Sequence, residues 1–91
     1  MAYVLQFNTH MSRSQYDGII SRLDAAGAGN PPGRLYHVCY GPEGDLSVTD
    51  VWESMEQVQE FGKTLFPILA EAGIEAGVPE PASVHNIMIG A

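Results

Sequence analysis

Hydrophobic positions along the chain follow two different periods, and each change of period predicts a change of element. Ala2 to Thr9 is rich in Val, Phe and Tyr with a single polar interruption before Asn8, which is typical of a strand. The next segment places its large apolar residues at i, i+3, i+4 and i+7, which predicts a helix with one apolar stripe: Tyr16, Ile19, Ile20 and Leu23.

Short-range signals predict where the two helices begin and end. Ser12 is followed three residues later by Gln15, and Ser54 by Gln57, so each pair has the spacing of a capping box. Gly27 is a plausible left-handed stop for the first helix. Pro67 removes one backbone donor, which predicts that the second helix kinks or restarts there.

The remaining apolar runs predict three more strands. "RLYHVCY" and "LSVTDVWE" flank the short connection "GPEGD" and form a hairpin, and "ASVHNIMIG", Ala82 to Gly90, forms the last strand. The resulting order, βαββαβ, predicts an α+β ferredoxin-like fold: a four-stranded antiparallel sheet with both helices on one face. Ninety-one residues suit a single domain spanning 1–91.

The predicted strands are apolar on both faces. In the second strand, Leu35 and Cys39 oppose the set Tyr36, Val38 and Tyr40. Two helices can cover only one face of a sheet, and a small domain has no further element to cover the other. We therefore expect a homodimer in which two sheets stack face to face.

Net charge indicates which classes of partner are unfavourable, and the cysteine count excludes an intrachain disulfide. Four Lys plus Arg against eleven Asp plus Glu give a net charge of −7, which repels nucleic acid and anionic membranes alike, so neither is expected as a partner. Cys39 is the single cysteine and cannot form an intrachain disulfide. The sequence shows no basic leader and no run of eighteen apolar residues, so a cytoplasmic location is expected.

The segments "HVCYGPEGDLSVTDVWES", "MEQVQEF" and "VHNIMIG" resemble the dimeric α/β-barrel superfamily that contains antibiotic-biosynthesis-monooxygenase-like domains. The resemblance covers essentially the whole chain. It implies a pocket between sheet and helices, lined from the first strand, the end of the third strand and the second helix. On this pattern Asn8 matches the first-strand asparagine of haem-degrading relatives. Trp52 is a further match, but it closes the third strand, whereas the tryptophan of those relatives belongs to the second helix. "FPILAEAGIE" lacks the histidine that would ligate haem, so no cofactor is expected.

Three histidines are the natural acid–base candidates at neutral pH: His10, His37 and His85. His37 and His85 lie inside apolar strands, "YHVCY" and "SVHNIMI", where burial would favour the neutral imidazole that accepts a proton. The alternative for each is a half-buried ring satisfied by a backbone carbonyl or water. No two of them show metal-ligand spacing, so no metal site is predicted.

Other polar and aromatic residues could complete a site. Asp50 shares a strand face with Trp52, and it either orients a histidine or substrate hydroxyl or is a solvated carboxylate. Trp52 either anchors the core beside Phe61 or Leu65 or forms one wall of an aromatic pocket. The other possible walls of that pocket are Tyr16, Tyr36, Tyr40 and Phe61. Gln6, Asn8 and His10 form a polar stripe that lines a wet cavity or meets a dimer partner, and the cavity is the preferred interpretation.

These residues support one leading hypothesis and two alternatives. The leading one is a protein that binds a small apolar or aromatic molecule, polyketide-like molecules included, as a cofactor-independent monooxygenase. His37 or His85 is the base, Asn8 or Gln6 holds the oxyanion, and Trp52 stacks on the ring. The alternatives are a cyclase or isomerase that uses the same base, and a non-catalytic binding or dimerisation module. The sequence leaves open whether the protein is an enzyme.

Overall fold

The computed structural model describes residues 1–75 and 77–90 and has the predicted order of elements. These are β1 (Tyr3–Met11), α1 (Arg13–Ala25), β2 (Arg34–Tyr40), β3 (Leu46–Trp52), α2 (Met55–Glu71) and β4 (Ala82–Ser83). All strand pairs are antiparallel and the sheet order is β2-β3-β1-β4. The α+β ferredoxin-like prediction is confirmed.

Both helices begin at the predicted serines. At α1 the capping box is complete, because Ser12 Oγ accepts the Gln15 N–H at 3.1 Å and Gln15 Oε1 accepts the Ser12 N–H at 2.8 Å. At α2 only half of the box forms. Ser54 Oγ accepts the Gln57 N–H at 3.2 Å, but the Gln57 side chain turns to the Ser54 hydroxyl at 3.0 Å instead of the backbone.

The ends of the helices are also set by local chemistry. Gly27, with φ of 75°, follows the C-cap of α1, and Gly73, with φ of 73°, follows that of α2, so both helices end on a left-handed glycine. The predicted restart at Pro67 is wrong, since α2 runs through Pro67 to Glu71. Apolar residues packed on both sides of the proline, Leu65 and Leu69, hold the two halves on the same core.

The strand register decides which side chains face the helices. On β1 the inner residues are Leu5, paired with Asp50, and Phe7, paired with Val48. On β2, His37 also pairs with Asp50. These positions alternate with outward-facing ones, so His37 and Asp50 lie together on the helix-covered face of the sheet.

A bulge at the start of β2 changes one of the predicted faces. Arg34 pairs with Trp52 and Tyr36 with Val51, so Leu35 is an extra residue without a partner. The alternation predicted Leu35 on the same face as Cys39, but Leu35 is 51% exposed and Arg34 takes the inner position.

The core fills the space between sheet and helices. Met11, Ile19, Leu23 and Leu69 form one buried cluster. Trp52 and Leu5 are the largest fully buried side chains, each 1% exposed, and the Trp52 ring packs against Phe61 with centroids 5.4 Å apart. Trp52 is therefore a core anchor.

No helix or strand of residues 1–75 and 77–90 covers the opposite face of the sheet. Tyr36, Val38 and Tyr40 project from β2 on this outer face and are exposed. The sheet thus has the second apolar surface that the sequence predicted. None of the helices in the described part of the chain is both long and apolar enough to cross a membrane.

The fourth strand is much shorter than predicted. Only Ala82 and Ser83 pair with β1, opposite Val4 and Tyr3, and Val84 adds one bond from its N–H to the Ala2 carbonyl at 2.9 Å. The apolar residues that follow, Ile87, Met88 and Ile89, do not pair with β1 and are exposed.

Candidate functional site

A small cavity lies between the inner face of the sheet and the two helices. Its volume is about 70 Å³, where one water needs about 10–15 Å³. Most of the lining is aliphatic or aromatic, and Phe66, which is 54% exposed, forms the part that reaches the surface. The polar members of the lining are few: Thr9, Tyr16, Arg34, His37 and Asp50.

Three of these polar residues form one hydrogen-bonded chain. Asp50 Oδ1 lies 2.5 Å from His37 Nδ1, and His37 Nε2 lies 2.6 Å from the Tyr16 hydroxyl. Asp50 Oδ2 accepts a longer bond from the Trp52 indole N–H at 3.4 Å. The sheet brings His37 and Asp50 together because they are directly opposite each other on β2 and β3.

The chain of bonds defines the hydrogen-bonding roles of the neutral imidazole. An ionised carboxylate can only accept, so His37 Nδ1 donates to Asp50. In the neutral ring Nε2 holds a lone pair and accepts the Tyr16 O–H. The two rings are stacked, with centroids 6.0 Å apart and an interplanar angle of 12°. In that form His37 is a base whose acceptor nitrogen points to the α1 side of the cavity.

The environment keeps Tyr16 in its hydroxyl form. Burial is the largest effect that raises the pKa of Tyr16 above its ordinary value of 10.0, and Cys39 and Asp50 add to it, while the charge of Arg34 opposes it. At neutral pH the phenol is consequently a donor to His37 and not a phenolate.

The structure brings together only some of the residues that the sequence nominated. His37, Asp50 and Phe61 all line the cavity. Trp52 does not line the cavity, because it is buried in the core, and it contacts two lining residues, Phe61 through its ring and Asp50 through its indole N–H. The prediction that Trp52 stacks on a ligand is therefore corrected.

The polar stripe of β1 lies on the other side of the sheet. Gln6 is paired with Thr49 on the outer face, and its amide donates to the Tyr40 hydroxyl at 3.0 Å. Asn8 has the same parity, and neither residue lines the cavity. Successive residues of a strand point to opposite faces, so Gln6 and Asn8 face away from the cavity that Phe7 lines. The wet-cavity interpretation and the oxyanion role for Gln6 or Asn8 beside His37 are therefore corrected.

The other two histidines are also outside the cavity. His10 is the penultimate residue of β1 and has a φ of 54°, and its Nδ1 lies 2.6 Å from Asp45 Oδ1 at an exposed site. His85 follows the short β4 and is exposed. Among residues 1–75 and 77–90, no group of three His, Cys, Asp or Glu side chains is arranged to hold a metal.

Two residues of the site were not assigned these roles from the sequence. Tyr16 was one possible wall, but its bond to His37 depends on how α1 lies across the sheet. Arg34 reaches the inner face only because of the bulge at Leu35, which strict alternation does not predict. A tyrosine at the start of an otherwise aliphatic helix stripe was the one available signal for the first.

Comparison with known proteins establishes the fold. No family model and no curated protein matches the chain. Among solved structures, a provisionally assigned antibiotic biosynthesis monooxygenase from Chloroflexus aurantiacus J-10-fl is 23% identical with a TM-score of 0.65, covering 99% of this chain and 100% of the other. SnoaB, a cofactor-independent oxygenase from Streptomyces nogalater, is 15% identical with a TM-score of 0.62, covering 96% and 94%. A provisionally assigned antibiotic biosynthesis monooxygenase from Caulobacter crescentus CB15 is 18% identical with a TM-score of 0.64, covering 96% and 91%. The chain thus has the fold of antibiotic biosynthesis monooxygenase-like proteins over nearly its full length.

Proposed function

We propose that the cavity binds a small aromatic molecule with a phenolic hydroxyl and that His37 removes a proton from it in a cofactor-independent monooxygenation. The observation that carries this proposal is the chain of bonds from Asp50 through His37 to Tyr16, which lies in the wall of an apolar cavity. The fold shared with SnoaB, a cofactor-independent oxygenase, supports the oxygenase form of the proposal.

Each residue of the chain has a distinct role in this proposal. Asp50 holds the proton on His37 Nδ1 and stabilises the imidazolium that forms when Nε2 accepts a second proton. The Tyr16 hydroxyl, 2.6 Å from Nε2, occupies the position that a ligand hydroxyl takes in the complex. Because Tyr16 stays protonated, it then donates a hydrogen bond to the phenolate oxygen of the ligand.

Dioxygen is the oxidant, and the atoms balance without another reagent. For a hydroquinone, proton removal gives an electron-rich phenolate that reacts with dioxygen at a ring carbon. One oxygen atom adds to that carbon, the other leaves as water, and both hydrogens of the water come from the substrate. Hydroquinone and dioxygen thus give a hydroxyquinone and water. The apolar lining suits both apolar reactants.

The volume of the cavity favours a single-ring ligand over a fused polyketide. At about 70 Å³ it is roughly half of the 150 Å³ engineered cavity that binds benzene. One ring fits if side chains at the exposed edge, such as Phe66, rotate outward. A molecule with three or four fused rings would require the helices to separate from the sheet.

Oxygen uptake with hydroquinone tests the proposal. We expect consumption above the protein-free rate in the natural protein, loss of that excess in His37→Gln, and retention in the control His85→Gln, whose side chain is exposed outside the cavity. Equal consumption by both variants would overturn the role of His37. Solvent deuterium entering the ring without oxygen uptake would indicate the isomerase or cyclase alternative, and no chemical-shift change at cavity residues would indicate a non-catalytic module.

The same proposal includes a homodimer, formed through the outer face of the sheet. Tyr36, Val38 and Tyr40 expose an apolar surface on the face opposite the helices. Two such sheets packed about 10 Å apart would remove these side chains from water. The partner that fits this surface most economically is a second copy, because the same residues then meet across a twofold axis.

A further inference from the structure

Arg34 is a cation placed inside the apolar cavity by a backbone irregularity. The bulge at Leu35 turns Arg34 toward the helices, opposite Trp52, and its side chain lines the cavity beside His37. With regular alternation, the apolar Leu35 would have faced this way. The bulge therefore exchanges an apolar lining residue for a guanidinium group.

The contacts of Arg34 leave most of its hydrogen-bonding capacity free. One terminal nitrogen donates to the Gly29 carbonyl at 3.1 Å, and the guanidinium carbon lies 6.0 Å from the centroid of the Phe61 ring. In the described ranges, 1–75 and 77–90, no carboxylate lies within ion-pair distance of it. A guanidinium has five N–H donors in a planar fork, so several remain available.

The other charge in the cavity is already engaged. Asp50 accepts from His37 with one oxygen and from Trp52 with the other. A half-buried cation without a counter-ion is unfavourable, and the fork of an arginine matches a carboxylate. We propose that Arg34 binds the carboxylate of the ligand, so that the cavity takes a single-ring aromatic hydroxy acid. This inference rests on the proposed function and specifies its substrate class.

The spacing of the two polar groups suits such a ligand. Arg34 and His37 pair with Trp52 and Asp50, which are two residues apart on β3, so the two positions are about 7 Å apart along the strand. A benzene ring with a carboxylate and a hydroxyl at opposite ends reaches both, with Phe61 beside the ring. The charge of Arg34 also lowers the pKa of Tyr16 against the larger effect of burial, which shows that its field reaches the hydroxyl position next to His37.

Calorimetric and NMR titrations with 4-hydroxybenzoate and its neutral analogue 4-hydroxybenzamide test this inference. In the natural protein we expect the acid to bind about 10- to 100-fold more tightly, as for a hydrogen bond to a charged group. Arg34→Gln is expected to bind the two compounds equally, and Arg34→Lys to keep part of the preference. Arg13→Gln makes the same change of net charge at an exposed site and is expected to keep the full preference.

The outcomes separate this inference from the proposed function. Equal affinity for acid and amide in the natural protein, with chemical-shift changes at cavity residues, overturns the carboxylate site and leaves the binding function standing. A preference that survives in Arg34→Gln also overturns it, as does an equal loss of affinity for both compounds, which indicates a structural role for Arg34. If neither compound shifts cavity resonances, both proposals are overturned. The comparison in the natural protein requires no variant, so a folding defect in Arg34→Gln does not obscure it.

Discussion

The Asp50→Asn substitution tests the bond on which the site depends. Asp50 is buried and accepts two donors, His37 Nδ1 at 2.5 Å and Trp52 Nε1 at 3.4 Å. The amide of asparagine has one acceptor oxygen in place of two. Whichever way the side chain turns, one of the two donors, His37 Nδ1 or Trp52 Nε1, therefore faces an NH₂ group. The backbone and the side-chain volume are nearly unchanged, so the effect isolates the polar contacts.

The expected loss follows from these contacts. Removing a hydrogen bond to a charged group at a buried site costs about 1.5–3 kcal/mol. For a domain of this size each kcal/mol lowers the melting temperature by roughly 4–8 °C, so a decrease of roughly 6–24 °C is expected. The proton on His37 also loses its fixed position, and the equivalent substitution in serine proteases lowers the rate about 10⁴-fold. Urea denaturation and thermal melts measure the stability, and oxygen uptake measures the rate.

The chain contains its own control for this experiment. Asp45 contacts His10 at 2.6 Å, but both side chains are more than half exposed, at 54% and 69%. Asp45→Asn makes the same charge change in the same kind of pair, and an exposed pair contributes at most about 1 kcal/mol. Equal losses in the two variants, or an Asp50→Asn protein as stable as the natural one, would show that burial does not strengthen the His37–Asp50 pair.

Three further predictions follow from other parts of the structure. Since the pKa of Tyr16 is raised in the folded state, the unfolded chain loses this proton first, so stability in urea falls as pH rises above about 10. Tyr16→Phe should flatten that fall, and an unchanged slope would contradict the burial of the hydroxyl. Trp52→Phe should lower the free energy of unfolding by about 1–3 kcal/mol and leave ligand affinity unchanged, because Trp52 is a core residue. Phe61→Leu should weaken ligand affinity more than it lowers stability. A loss of affinity in Trp52→Phe with none in Phe61→Leu would show that Trp52 lines the pocket. Light scattering should give twice the 9.8 kDa chain mass. Val38→Asp, on the outer face of the sheet, should give a monomer, whereas the control Ser21→Asp, at an exposed position of α1, should remain a dimer.

The sequence predicted the architecture because the signals for it are local. Hydrophobic periods of two and 3.6, together with Ser12 and Ser54 as helix caps and Gly27 as a stop, are properties of short segments. Their order, βαββαβ, then left few topologies to consider. The identity of His37 and Asp50 as candidates was also available, because an ionisable side chain inside an apolar strand is unusual wherever that strand lies.

Tertiary structure alone decided which of the candidates meet. Whether His37 lies opposite Asp50 depends on the register of two strands, and a shift of one residue would send each side chain to the other face. The pairing of β1 with β3 placed Gln6 and Asn8 on the outer face, and the pairing of β1 with β4 includes only Ala82 and Ser83 of the predicted last strand. Packing of the helices on the sheet buried Trp52 and left His10 outside the cavity. A bulge at Leu35 brought Arg34 inside. These outcomes arise from contacts between residues far apart in the chain, whose energies no local pattern contains.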